Sequence, residues 1–202
     1  MIALLAASGL SGAPDALARG PFYVGASAGR SDIDDEIAFP GLITSGTADG
    51  KNTGYKIFGG YEFNPYFGVE VSLVDLGKVK YSGSYLGAPV TGGKVEVVGL
   101  NASAVGIVPV NESFSLFGKL GIFAWEASWS DVTGGVPTKA QDNGADLSIG
   151  AGFTFNFTKN FSARLEWERF KAGGGEDYNT GFPNLTSSAK IDFVSLGFLF
   201  KF

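Results

Sequence analysis

The last eleven residues, from Asp192 to Phe202, alternate strictly between two kinds of side chain. The residues of one set are large and apolar, and they are Val194, Leu196, Phe198, Phe200 and Phe202. The residues between them are Phe193, Ser195, Gly197, Leu199 and Lys201. Because successive side chains of a β-strand point to opposite faces, this segment predicts a strand with one continuous apolar face. Such a lipid-facing ribbon is typical of the strand that closes a membrane β-barrel.

Seven earlier segments share this alternation. They are residues 22–29, 55–63, 67–73, 98–104, 114–127, 145–157 and 161–168. Three connections are short, at residues 64–66, 109–113 and 158–160, whereas four are long and rich in Gly, Ser, Asp and Thr, at about 31–50, 80–93, 128–143 and 172–188. Short and long connections alternate, as in a barrel with turns at one end and loops at the other. We therefore predict an all-β fold, an eight-stranded antiparallel up-and-down transmembrane β-barrel.

Alternation alone does not say which face is wet, because soluble lipocalin barrels alternate too. The chain has 31 Gly and 18 Phe but only 17% charged residues. A soluble barrel would carry many Lys and Glu residues on its outer face. The sequence therefore predicts that bulky apolar residues face lipid and that small residues with a few charges face inward.

Aromatic residues cluster where the strands are predicted to end. Those beside the termini and short turns are Phe22, Phe63, Phe67, Phe157, Phe161 and Phe202, and those near the opposite ends are Trp125, Trp129 and Trp167. Aromatic side chains concentrate at both membrane interfaces. We therefore predict two aromatic belts.

Two residue types are missing from the chain, Cys and His. Their absence removes disulfides, thiolate nucleophiles, imidazole metal ligands and Ser-His or Cys-His catalysis. Glu166 and Glu168 have a same-face spacing of about 7 Å, near that of glycosidase carboxylates, but they would lie in a narrow tube without a substrate cleft. We predict no enzyme activity, no cofactor and no metal. The net charge of −5 argues against nucleic acid.

The N-terminus resembles an export signal. Residues 2–7 form a short apolar run, and Ala16-Leu17-Ala18 fits a small-x-small cleavage site, although no Lys or Arg precedes the run. We predict a signal peptide over residues 1–18, with a truncated basic start, and a single barrel domain over 19–202. The sequence has no stretch of about 18 consecutive apolar residues for a membrane-spanning helix.

Several charges share the predicted inward face. They are Lys56, Glu62, Glu70, Lys119, Asp146, Arg164, Glu166 and Glu168. A charge in a narrow lumen must be paired or hydrated. We therefore predict a charge network in which Arg164 and Lys119 bridge Glu70 and Glu166, plugging the lumen and fixing strand register. An ion path or a gate made by re-pairing is the alternative.

The segment from Gly59 to Glu70, which reads GGYEFNPYFGVE, resembles the N-terminal transmembrane domain of the OmpA family. Shorter likenesses lie at residues 25–29, 119–121 and 162–167. The resemblance implies an eight-stranded outer-membrane barrel with an interior salt-bridge network. It matches Glu70 to the family's gating glutamate, Arg164 to its arginine partner, and Lys119 and Glu166 to further interior charges.

The chain departs from the family pattern at two interior positions. Ser103 stands where the family has an alternative lysine partner, and Thr154 stands in place of an interior glutamate. These departures favour a static plug over a charge-swap gate. We also expect no peptidoglycan-binding domain after the final strand, so cell-wall tethering is not carried over.

These observations predict a non-enzymatic protein of the Gram-negative cell outer membrane, with a structural or surface-loop interaction role. The alternatives are a small porin-like pore of low conductance, and an adhesin acting through the four long loops. The expected partners are outer-membrane lipid and lipopolysaccharide, the barrel-assembly machinery, and host or surface ligands if the loops bind them.

Overall fold

The computed structural model describes residues 22–33, 43–49, 51–85, 88–133, 136–172 and 189–202. Within them the chain forms nine antiparallel strands. These are β1 (Phe22–Ile33), β2 (Ile43–Asp49), β3 (Lys51–Asn64), β4 (Phe67–Tyr85), β5 (Ala88–Pro109), β6 (Phe114–Thr133), β7 (Val136–Asn156), β8 (Phe161–Ala172) and β9 (Ala189–Lys201). The predicted signal peptide lies outside the described residues.

The strands close into a ring of eight. Each of β3 to β8 pairs with the next strand in sequence, and β1 pairs with both β3 and β9. β2 pairs with the C-terminal part of β4, beyond the segment of β4 that pairs with β3. β2 and β3 therefore occupy one position in the ring. The predicted eight-stranded barrel is therefore confirmed, with its second strand divided into β2 and β3.

The strands are staggered around the ring. Following paired residues once around the barrel from Lys201 leads through Tyr23, Gly60, Glu70, Ser103, Gly121, Ser148 and Phe170 to Ile191. The path returns to β9 at a residue ten positions before its starting point, so the shear number of the barrel is ten. For eight strands this stagger tilts each strand by about 40° from the barrel axis.

The three short turns are confirmed, but two of the predicted long loops are wrong. β4 continues to Tyr85 and β5 begins at Ala88, while β6 continues to Thr133 and β7 begins at Val136. The hairpins extend because the antiparallel pairing continues beyond the alternating segments. The sequences of these extensions show no regular alternation of apolar and polar residues, which is why they were predicted as loops. Of the other two predicted loops, residues 34–42 and 173–188 lie outside the described residues. The predicted loop at 31–50 is also partly wrong, because Ile43–Asp49 forms β2.

The predicted assignment of sides is confirmed. On β9, Phe198 and Phe200 are 50% and 46% exposed at the outer wall, whereas Phe193 and Leu199 are 0% and 1% exposed inside. The six Phe residues predicted to form a belt at the short-turn end are all exposed. No helix among the described residues is both long and apolar enough to span a membrane.

The predicted second belt is partly wrong, because Trp125 points into the lumen. It is 6% exposed and packs with Phe123 and Phe170. Trp125 has the same parity as Lys119 and Phe123 on β6, which places it on the inward face. Trp167 is half-buried on the outer face, and the side chain of Trp129 lies outside the described part of the structure.

The expectation of small inward residues is also incomplete, because large aromatic side chains fill much of the lumen. Tyr23, Phe58, Phe117, Phe123, Trp125, Phe170 and Phe193 are all buried there. Inward glycines make room for them. A Cβ added to Gly99 would lie 2.4 Å from the Phe123 ring, and one added to Gly25 would lie 2.5 Å from the Phe58 ring. The abundance of both Gly and Phe therefore reflects interior packing of small against large residues as well as the lipid-facing wall.

We expect opposite effects from adding a methyl group to an inward and to an outward glycine. A Cβ on Gly152 would lie 2.3 Å from the Leu165 carbonyl oxygen and 2.7 Å from the Phe117 ring, so Gly152→Ala should lower the free energy of unfolding by about 1–3 kcal/mol. A Cβ on Gly106 meets nothing within 4 Å, so Gly106→Ala should raise it by about 0.4–1 kcal/mol. Urea unfolding in lipid vesicles measures both variants, and equal effects would contradict the packed lumen.

Candidate functional site: the lumen charge cluster

Six charged side chains meet near the middle of the barrel, and we call them the lumen charge cluster. They are Lys56 of β3, Glu70 of β4, Lys119 of β6, and Arg164, Glu166 and Glu168 of β8. Each is at most 6% exposed. Every one lies on the inward face of its strand because the strands alternate with a period of two.

Glu70 joins two cations at once. Its Oε1 lies 2.5 Å from Lys119 Nζ, and its Oε2 lies 2.6 Å from an Arg164 guanidinium nitrogen. The Tyr23 hydroxyl donates a third hydrogen bond to Oε2, at 2.9 Å. Glu70 therefore binds both cations without having to change partners.

The other half of the cluster is arranged around two carboxylates on β8. Lys56 Nζ contacts both Glu166 and Glu168. Lys119 also contacts Glu166, and its Nζ lies 3.6 Å from Glu168. Lys119 thereby links the Glu70 half to the Glu166–Glu168 half, and all six groups form one connected network.

The charges of the cluster balance. Three cations, Lys56, Lys119 and Arg164, face the carboxylates of Glu70, Glu166 and Glu168. Removing an ion from water costs several kcal/mol even after relaxation, and good pairing is what offsets that cost. The cluster is stable as a complete neutral set, whereas removing one member leaves an uncompensated buried charge.

Aromatic rings surround the Arg164 guanidinium. Its central carbon lies 5.3 Å from the Tyr23 ring centroid, 4.9 Å from that of Phe58 and 4.7 Å from that of Phe117. Such contacts favour a cation over a ring face. The rings also occupy the space around the guanidinium, which limits the room for it to swing towards another partner.

Two residues predicted for the network lie elsewhere. Glu62 accepts from Lys201 Nζ at 2.7 Å near the short-turn end, and Asp146 accepts from the Trp125 indole nitrogen at 2.8 Å. Among the described contacts neither residue joins the lumen charge cluster. Parity gives the face of a residue but not its height along the axis, so these two residues were grouped wrongly.

Sequence reasoning missed the aromatic members of the site. Tyr23 donates to Glu70, and Phe58 and Phe117 flank Arg164. All three alternate in step with the inward-facing residues of their strands, and this pattern was the sequence signal that could have identified them. An aromatic residue on a predominantly polar face of a predicted strand indicates a packing role inside the lumen.

The two departures from the family pattern lie directly beside the cluster. Ser103 is the register partner of Glu70 on β5, and Thr154 is the register partner of Arg164 on β7. Ser103 accepts a hydrogen bond from Asn101, whose side-chain oxygen accepts one from Ser148. Neutral, buried side chains thus occupy both positions, and Lys119 of β6 contacts Glu70 instead.

The lumen is filled above the cluster and open below it. Above it, on the side away from the short turns, a buried apolar plug is formed by Val74, Leu76, Val97, Phe123, Trp125, Ala127, Phe170, Ile191 and Phe193. Below it, a cavity of about 190 Å³ is lined by residues of the short-turn end, including Glu62 and Lys201, and by Arg164 and Tyr23. The charge cluster and the plug thus form two consecutive barriers along the axis.

Comparison with known proteins agrees with this architecture. Residues 18–202 match the model of the OmpA-like transmembrane domain. The chain is 30% identical over 149 residues to outer membrane protein A of Salmonella typhi and 28% identical over 148 residues to that of Shigella flexneri. In both cases the match covers 73% of this chain but 40% of the relative, so the chain spans well under half the length of these relatives.

Solved structures share the fold at low sequence identity. The attachment invasion locus protein Ail of Yersinia pestis aligns with a TM-score of 0.57 at 20% identity, covering 91% of this chain and 99% of Ail. OprG of Pseudomonas aeruginosa aligns with a TM-score of 0.57 at 15% identity, covering 91% and 96%. The closed ring of strands, its lipid-facing wall and the match over residues 18–202 lead to one conclusion: this chain belongs to the OmpA-like transmembrane domain family and is a β-barrel of the cell outer membrane.

Proposed function

We propose that this protein is a non-enzymatic outer-membrane barrel whose lumen is permanently sealed, and that it acts through its outer wall and its extracellular ends. The observation that carries this proposal is the double barrier inside the barrel. The lumen charge cluster closes one level, and the apolar plug around Phe123 and Phe170 closes the next. Phe123 and Phe170 are both 0% exposed, with ring centroids 4.6 Å apart.

A small pore is the second candidate, favoured by the buried charges and by the cavity at the short-turn end. A gate based on exchange of partners would need Glu70 to release one cation in order to bind another. Glu70 instead binds Lys119 and Arg164 together, and the rings of Tyr23, Phe58 and Phe117 surround Arg164. These contacts support the sealed barrel over the pore.

Planar-bilayer recording separates the two candidates. We expect the wild-type barrel to produce no discrete current steps, and Glu70→Ala to be equally silent as long as the apolar plug remains. Silence from both proteins would exclude the pore. Reproducible steps from the wild type that change in amplitude or frequency in Glu70→Ala would instead support a conducting path through the cluster. Migration of unheated samples on gels should confirm that each preparation is folded.

Surface binding through the extracellular ends is a further part of the proposal. The aromatic residues of the predicted loops, Trp129, Tyr85, Tyr178 and Phe182, are the candidate contact residues, and their side chains lie outside the described part of the structure. The test exchanges, one at a time, the four connections at this end: residues 34–42, the tips of the β4–β5 and β6–β7 hairpins, and residues 173–188. Unchanged adhesion to cells after all four exchanges would contradict this role. We also propose that the assembly machinery recognises the lipid-facing ribbon of β9, from Val194 to Phe202.

A further inference from the structure

The outer wall of the barrel is charged asymmetrically at the end away from the short turns. On β1, β8 and β9 the outward-facing charges are Arg30, Arg169, Lys171 and Lys190 against Asp32 and Asp192, a balance of +2. On β4, β5 and β6 the described outward-facing charges are Lys78 and Lys94 against Asp75, Glu96 and Glu126, a balance of −1. Among these six strands, the described cationic excess therefore lies on β1, β8 and β9.

The centre of this side is a pair of lysines that face each other. Lys171 of β8 and Lys190 of β9 are direct register partners, and both are exposed. Side chains in such positions start about 5 Å apart, and like charges there are destabilising. An unfavourable pairing of like charges that a protein retains often marks a functional site. An anion bound between the two ammonium groups would turn the repulsion into attraction.

A third cation lies beside the pair and is held in place. Arg169 is two residues from Lys171 on the same face, and it makes a bidentate contact with Asp192 at 2.8 and 2.7 Å. Its guanidinium also lies 5.4 Å from the Trp167 ring centroid. Asp192 offsets the charge of Arg169 but leaves both lysine charges uncompensated among the described side chains. We call Arg169, Lys171 and Lys190 the cationic triad.

The height of the triad matches the outer membrane interface. Arg169 and Lys171 are eight and ten residues above Phe161, and Lys190 is twelve residues above Phe202. Strands tilted by about 40° rise about 2.5 Å per residue along the membrane normal, so these heights are roughly 20–30 Å. The apolar band of such barrels is about 25 Å tall. Directly below the triad the wall is apolar, with Leu165, Val194 and Leu196 exposed.

We propose that the cationic triad binds a phosphate group of an outer-leaflet lipid, with the acyl chains of that lipid lying on the apolar wall below. Lysine and arginine both bind phosphate, and the triad places them at headgroup level. The site lies on the outer wall and not in the lumen, so it does not depend on whether the barrel conducts.

Titration of the refolded full-length chain in nanodiscs of neutral phospholipid tests this site. The probe is fluorescent diphosphoryl lipid A. Enzymatically dephosphorylated lipid A serves as the control ligand, and inorganic phosphate serves as the competitor. The variant Lys171→Gln/Lys190→Gln removes the opposed pair, and Lys78→Gln/Lys94→Gln removes the same charge from the opposite wall. Migration of unheated samples on gels establishes that each variant is folded.

We expect Lys171→Gln/Lys190→Gln to bind diphosphoryl lipid A about tenfold more weakly or worse, and the Lys78→Gln/Lys94→Gln control to stay within about twofold of wild type. Dephosphorylated lipid A should bind weakly and equally to all three proteins. Equal affinity of the wild type and Lys171→Gln/Lys190→Gln would overturn the proposal. Full displacement of lipid A by an equal concentration of inorganic phosphate would also overturn it, because the site would then recognise free phosphate.

Discussion

We expect Glu70→Gln to lower the free energy of unfolding by about 3–5 kcal/mol. The substitution keeps the shape of the side chain but leaves the lumen charge cluster with three cations and two carboxylates. Arg164 loses the carboxylate that lies 2.6 Å away, and Lys119 loses one of its partners. Because these groups are buried, water cannot replace the lost charge. Urea unfolding of the refolded barrel in lipid vesicles measures the loss.

Glu62→Gln is the matched control for this prediction. It removes a carboxylate from the Glu62–Lys201 pair, whose side chains are 14% and 23% exposed at the short-turn end. We expect a loss of about 1 kcal/mol or less there, because a partly hydrated pair contributes little. Adding Lys119→Met to Glu70→Gln restores charge balance, so the double variant should lose less than the sum of its single variants. A Glu70→Gln loss no larger than that of Glu62→Gln would contradict the buried network.

The second large effect concerns the apolar plug. Phe123 is 0% exposed and packs against Phe170, so we expect Phe123→Ala to lower the free energy of unfolding by about 3–5 kcal/mol. Part of this loss is the transfer of the ring out of apolar surroundings. The remainder is the free-energy cost of the cavity left behind, because a closed barrel of paired strands cannot collapse around it.

Phe155→Ala separates these two contributions. Phe155 is 43% exposed on the outer wall, where mobile acyl chains can fill the space left by its ring. Only the transfer contribution should then be lost, so we expect a decrease of about 2 kcal/mol. Equal losses at Phe123 and Phe155 would show that the lumen adapts as readily as lipid does, which would argue against a rigid plug.

The alternation of side chains was sufficient to predict the barrel and its two faces. One face of each strand meets hydrocarbon, so Val194, Leu196, Phe198, Phe200 and Phe202 could be assigned to the outer wall from β9 alone. Above the membrane that constraint disappears. The upper parts of β4 to β7 lack this alternation, and for that reason they were predicted as loops instead of strands.

The interior was harder to predict, because parity gives a face but not a neighbour. Lys56 of β3 contacts Glu166 of β8, although these strands are not adjacent in the ring. That contact depends on the stagger of the strands and on the glycines that admit Tyr23, Phe58 and Phe117. Trp125 is a different case: its position near a strand end predicted an interfacial belt, whereas its parity with Lys119 and Phe123 indicates the inward face.

Single-cysteine accessibility tests the sealed lumen most directly. The chain has no native Cys, so Ser27→Cys, Ser148→Cys and Ser195→Cys each introduce one nearly isosteric thiol at a buried position. Ser113→Cys, in an exposed turn, is the positive control. With a small water-soluble thiosulfonate reagent, we predict that the three lumen thiols react only after unfolding, while Cys at position 113 reacts at once. Rapid modification of the lumen thiols in the folded barrel would reveal a continuous water path and would contradict the account.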